Sequence, residues 1–160
     1  MVIESEDSVL VQETGAGRFQ VRVDTGEHQL TVDEPAAFGG GSSGPNPFDL
    51  IEAALGACTL MTMRLYAERK GWSPDRMSVR VTHHKGSPAG RDRFERVLEL
   101  GDMPEEQRDR LVQIAQRCPV HLLLERGADV STTVADSALE GGVAEGLHAQ
   151  LIDALCNEAR

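Results

Sequence analysis

Asn46-Pro47-Phe48-Asp49-Leu50-Ile51-Glu52-Ala53-Ala54-Leu55-Gly56-Ala57-Cys58-Thr59-Leu60-Met61-Thr62-Met63-Arg64-Leu65-Tyr66-Ala67-Glu68-Arg69-Lys70-Gly71 is the stretch on which the fold turns. Asn46 is a natural N-cap and Pro47 suits the first helical position, because its missing N–H would have had no partner there. Gly71 stops the helix, and Arg69 and Lys70 sit where the dipole favours cations. From Ala53 to Met63 the helix carries almost no charge on any face. A helix apolar all round must be enclosed by protein. One sheet covers one side only, so the other side is expected to face a second copy of the chain.

Upstream, Phe38 to Pro47 is a Gly/Ser/Pro loop that cannot be regular structure and reads as a loop within one domain. Before it, Ser8–Gln12 is short and β-prone, Arg18–Val23 and His28–Val32 alternate apolar and polar residues, and turn residues separate the three. This predicts a three-strand antiparallel meander. Downstream, Met77–His84 and Phe94–Leu100 are two further strands, and Pro104 opens a second helix with core positions Leu111, Ile114 and Ala115. That helix ends before Pro119, which disfavours helix in the residue it follows. Ala128–Val134 reads as a last strand, and Leu147 to Ala159 as a short helix. Strands, helix, strands, helix, strand is an α+β order. The expected division is a domain over 1–136 and a C-terminal extension over 137–160.

The chain has 160 residues, enough for a core without staples, with 40% hydrophobic and 26% charged residues and a formal net charge of −10. That balance argues against a phosphate-backbone partner. No segment reads as a membrane crossing, and the acidic Met1–Asp7 does not read as a signal peptide, so a cytoplasmic protein is expected. Three cysteines without CxxC or zinc-finger spacing suggest a reducing compartment rather than a structural disulfide or metal site.

Cys58, mid-helix and uncharged around, reads as a core cysteine unless a cation reaches it. Cys118 lies where one helix ends and Pro119 starts another turn. It is either a structural junction or a sulfur at a helix N-terminus, where N–H groups favour a thiolate, with His121 nearby. Cys156 falls near a frayed end and reads as incidental. His83 and His84 are adjacent on a strand, so their rings point to opposite faces and suit a solvated strand end better than a metal. Gly39–Gly41 lacks the Lys-Ser/Thr of a phosphate loop.

Gly44-Pro45-Asn46-Pro47-Phe48-Asp49-Leu50, Ala53 to Thr59, Met63 to Trp72, and Arg117-Cys118-Pro119-Val120-His121 resemble the OsmC/Ohr family in order and spacing. The resemblance implies antiparallel sheets wrapped around two central helices in an intertwined homodimer, with active sites at the subunit interface. It implies reduction of organic hydroperoxides without metal or other cofactor, Cys58 being peroxidatic and Cys118 resolving. A dithiol reductant such as lipoylated protein would then reduce their transient disulfide. No nucleic acid or membrane partner is implied. Peroxidase members carry, ten residues before the first cysteine, a glutamate that orients an activating arginine. That position is Phe48 here, with Asp49 beside it; Arg18 is the counterpart of the arginine. Phe48 and the apolar Leu122-Leu123-Leu124 leave a second reading open, a binding or redox-sensing module with an apolar pocket at the dimer interface.

Overall fold

The computed structural model describes residues 6–159. In chain order it contains β1 (Leu10–Glu13), β2 (Val21–Asp24), β3 (Gln29–Val32), a 3-10 turn (Ala36–Phe38), α1 (Pro47–Arg69), β4 (Ser78–His84), β5 (Arg93–Glu99), α2 (Glu105–Ala115), α3 (Pro119–Arg126) and α4 (Leu147–Glu158). This is an α+β chain with two small antiparallel sheets and four helices. The described residues form two compact units, one of residues 6–50 with 129–147, the other of 51–128 with 148–159.

In the first unit β1, β2 and β3 form the expected meander, with Val11 opposite Val23 and Val23 opposite Leu30. The Gly/Ser loop after β3 is organised by Asp33. Its carboxylate accepts the backbone N–H groups of Glu34, Gly41 and Ser43 and the Ser43 hydroxyl. The Ser43 hydroxyl, ahead of the three N–H groups, holds this carboxyl below its ordinary value. The loop therefore gains stability while Asp33 is ionised, and loses it as pH falls through the depressed value. A Cβ on Gly44 would stand 2.1 Å from the Thr31 carbonyl oxygen. Gly44→Ala is expected to destabilise the protein by about 1–3 kcal/mol in urea unfolding, because two backbone segments must separate.

The α1 start follows the sequence reading. Asn46 Oδ1 accepts the Phe48 and Asp49 N–H groups, and Asp49 Oδ2 accepts the Asn46 N–H, a reciprocal cap. Ala128–Val134, in contrast, is not a strand: it is irregular and exposed, Val130 at 90% and Val134 at 92%. A strand exists through its ladder, and among the described residues no strand pairs with this segment.

In the second unit β4 and β5 pair as a hairpin, Val79 opposite Leu98, Val81 opposite Arg96 and His83 opposite Phe94. These are the covered positions of both strands. Gly56 of α1 lies under this face; a Cβ there would already touch Val81 and Val79 at 3.3 and 3.4 Å. The main core joins Met63, Tyr66 and Ala67 of α1 to Leu111, Ile114 and Ala115 of α2 and Leu155 and Cys156 of α4. Cys156 is thus not at a frayed end. It is 1% exposed, its thiol facing the Thr62 carbonyl, because the apolar face of α4 docks on α1.

By length and composition α1 could cross a bilayer, contrary to the sequence reading. Its apolarity has another use here: Leu55, Cys58, Thr59, Thr62, Met63, Tyr66 and Ala67 are buried within the chain. Its opposite face is bare, with Ala53, Ala54 and Ala57 exposed and Met61 53% accessible.

Candidate active site

Two of the four residues singled out from the sequence come together in the second unit. Cys58 and Cys118 are 2% and 0% exposed, unbridged, and packed with Leu55 against Val81, Phe94, Val120 and Leu124. Their side chains hydrogen-bond to each other. Cys58 is delivered from the middle of α1. Cys118 is the N-cap of α3 with Pro119 following it, as its proline had suggested. The free N–H groups of the first α3 turn meet both sulfurs: Val120 N–H donates to Cys58 Sγ at 3.4 Å, and the His121 N–H to Cys118. Short of a full charge, this is what a helix N-terminus offers an anion.

The full charge comes from Arg96, which the sequence reading left unassigned. Its Nη1 stands 3.9 Å from Cys118 Sγ. The guanidinium is held from three helices: Nη1 donates to Thr59 Oγ1 of α1 and to the Ala115 carbonyl at the end of α2, and Nη2 to His121 Nδ1 of α3, each at 2.8 Å. Arginine only donates, so His121 Nδ1 is the acceptor of this bond, and its Nε2 faces Glu125 at 3.7 Å. Thr59 lies 3.6 Å from Cys118 Sγ while its hydroxyl is 2.7 Å from the Leu55 carbonyl, so its one proton serves either. The signal for Arg96 was present in the chain: on a strand of period two it shares the inner face with Phe94 and Leu98, where a cation is out of place without a buried partner.

The two thiols are driven apart. Cys118 is drawn from an ordinary 9.0 to about 5, chiefly by the hydrogen bond from Cys58, then by the His121 N–H, Thr59 and the Arg96 charge, against burial. Cys58 is pushed well above the ordinary thiol range, first by its hydrogen bond to Cys118 and then by burial. The pair is thus set to lose its first proton more readily than an isolated thiol and its second far less readily.

Arg18 and Asp49 belong to the first unit. Arg18 lies in the bend before β2 rather than on the strand, its guanidinium 4.8 Å from the Phe19 ring centroid. Asp49 is engaged in the α1 cap, and Phe48 beside it is 48% exposed. His83 and His84 point to opposite faces as read. His83 stacks on Phe94 and meets Asp92 at 2.8 Å, while His84 meets Glu95 at 3.2 Å. Beside the cysteine pair a cavity of about 660 Å³ is walled by Leu55, Phe94, Leu98, Val112 and Leu124, with Arg96 and His121 among its polar lining.

The family model described as OsmC-like protein matches residues 39–133, more than half of the chain. Among solved structures, an OsmC-like protein from Mycoplasma pneumoniae superposes with a TM-score of 0.61 at 17% identity, over 77% of this chain and 89% of its own. An organic hydroperoxide resistance protein from Elizabethkingia anophelis superposes at 0.57 and 18%, over 76% and 89%. The organic hydroperoxide resistance protein OhrB of Bacillus subtilis does so at 0.53 and 23%, over 74% and 89%. No curated protein matches the chain.

Proposed function

The chain belongs to the OsmC-like protein family, and on that premise we propose that it reduces organic hydroperoxides through a transient disulfide between Cys58 and Cys118. The observation that carries this reading is the packing of two buried, unbridged thiols against each other beside a guanidinium. A thiolate attacks the peroxide oxygen and becomes a sulfenic acid, and the second thiol condenses with it. The resemblance gives the attack to Cys58 and the resolution to Cys118. A dithiol such as a lipoylated protein then returns both thiols by exchange. Chemistry of this kind needs a reducing compartment, and we place the protein in the cytoplasm.

The test is one equivalent of an organic hydroperoxide, followed by alkylation and peptide mapping. The expected product links residues 58 and 118, leaves Cys156 alkylatable after unfolding, and is reduced by dihydrolipoamide with continued peroxide consumption. A disulfide involving Cys156, or no consumption, would remove the proposal.

The functional unit we propose is a homodimer closed over the bare α1 face of Ala53, Ala54, Ala57 and Met61. Light scattering at micromolar concentration is expected to give twice the chain mass. A second reading, a redox-sensing or ligand-binding module, draws on the burial of both sulfurs and the apolar walls of the neighbouring cavity. It differs in outcome: a sensor oxidises once per peroxide and does not turn over with dithiol.

A further inference from the structure

We propose that Thr59 is a positioning residue for the closing of the disulfide, its hydroxyl turning from the Leu55 carbonyl to the Cys118 sulfur as that sulfur ionises and attacks. The inference rests on reading Cys58 as the peroxidatic and Cys118 as the resolving thiol. Thr59 follows Cys58 on α1 and is 0% exposed. Its Oγ1 stands 2.7 Å from the Leu55 carbonyl oxygen and 3.6 Å from Cys118 Sγ, and it accepts Arg96 Nη1 at 2.8 Å. A hydroxyl carries one proton and two lone pairs. With the guanidinium on a lone pair, the proton has two acceptors within reach, a carbonyl and a sulfur.

Which acceptor wins depends on the state of Cys118. A neutral thiol is a weak acceptor, so the carbonyl holds the hydroxyl. A thiolate reverses the order, because a hydrogen bond to an ionised acceptor is roughly twice as strong as a neutral one. The bond from Arg96 polarises the hydroxyl and makes it the better donor. Leu55 loses little when the hydroxyl turns away, since its carbonyl lies mid-helix and keeps its backbone partner. The charged or titratable groups facing Cys118 are Cys58 on α1 and Arg96 on β5; His121 on α3 reaches it through its backbone N–H. Burial raises the cost of ionising Cys118, and the Thr59 hydroxyl is placed to lower it.

Closing proceeds from the sulfenic acid on Cys58. The Cys118 thiolate attacks the Cys58 sulfur, the S–S bond forms and the S–O bond breaks. The departing hydroxide takes up the proton that Cys118 had released, giving water. Cys118 is oxidised as the sulfenic sulfur is reduced, and no further reagent is consumed. Thr59 keeps its proton throughout. Once the sulfurs are joined and neutral, the hydroxyl returns to Leu55.

Thr59→Val removes the hydroxyl at nearly constant shape, and Thr59→Ser keeps it. After one equivalent of organic hydroperoxide, timed dimedone trapping and mass spectrometry follow the Cys58 sulfenic acid into the 58–118 disulfide. Thr59→Val is expected to slow closing about tenfold or more at neutral pH and to move the midpoint of its pH profile up by about a unit. Thr59→Ser should restore both. A packing role alone is met by valine better than by serine, so it predicts the opposite order. Thr59→Ala also lacks the hydroxyl and takes the place of Thr59→Val if circular dichroism shows that the latter does not fold. A second readout needs no peroxide. With Cys58→Ser and Cys156→Ser, Cys118 is the one thiol left, and thiolate absorbance reads its ionisation. Adding Thr59→Val should raise that midpoint by about a unit, and adding Thr59→Ser should not. An unmoved midpoint, or closing at the wild-type rate in Thr59→Val, overturns the proposal. If wild type consumes no hydroperoxide yet the midpoint moves, the peroxidase reading falls and takes the closing role with it, and only the hold of Thr59 on Cys118 stands.

Discussion

Cys58→Ser is expected to lower dithiol-supported hydroperoxide consumption by about 10³-fold or more, while the far-ultraviolet spectrum stays that of wild type. The substitution is nearly isosteric at a site that is 2% exposed, and a serine hydroxyl can still accept the Val120 N–H. What disappears is the sulfur to which the proposed reaction gives the attack, because a hydroxyl stays protonated where a thiol can ionise. Cys118→Ser should differ in kind. It leaves Cys58 to be oxidised once per chain, followed by a stalled sulfenic acid that dithiol alone must clear. Cys156→Ser is the control, since Cys156 packs in the main core rather than with the cysteine pair, and turnover should hold within about twofold. Steady-state consumption assays on the three variants separate these outcomes.

The second large effect concerns stability, and it separates two methionines on one helix. Met63→Ala should cost about 2–5 kcal/mol in urea unfolding, because Met63 is 0% exposed and its truncation leaves a cavity among Tyr66, Leu111 and Ile114. For a chain of this size that lowers the melting temperature by roughly 10 °C. Met61, two residues earlier, is 53% exposed. Met61→Lys should leave the unfolding of an isolated chain within about 0.5 kcal/mol of wild type, yet dissociate the proposed dimer, read by light scattering. Equal sensitivity at both positions would mean that α1 is not packed as described.

What could be read in the sequence was what short range determines. The α1 boundaries follow from Asn46, Pro47 and Gly71, each acting within a few residues of itself. The placing of Cys118 at a helix N-terminus follows from Pro119, and the three-strand meander from its alternation and turns. What could not be read depends on partners distant in the chain. Ala128–Val134 has strand-forming residues and no ladder, and composition says nothing about whether a ladder exists. Cys156 looked incidental because its burial comes from α4 docking on α1, 94 residues away by the Cys156–Thr62 contact. Arg96 was passed over as one charge in a strand of mixed residues; only its alternation with Phe94 and Leu98 marks it. The pairing of Cys58 with Cys118 came from the family resemblance rather than from either residue's own surroundings, and the structure gives it a physical form. The roles of Arg18 and Asp49 rest on that resemblance alone.

The half-buried guanidinium of Arg96 has a further consequence once the sulfurs are joined. In the dithiol state Arg96 stands 3.9 Å from Cys118 Sγ and favours its ionised form. A disulfide carries no charge, so oxidation leaves the cation facing only the neutral dipoles of Thr59, Ala115 and His121. The oxidised protein therefore holds an uncompensated charge that the reduced protein does not, and the couple is displaced toward reduction. The same residue thus makes the disulfide a better electron acceptor. Arg96→Met should lower the midpoint potential of the 58–118 couple, and equilibration against a series of dithiol buffers would measure how far this cation sets the redox poise of the protein.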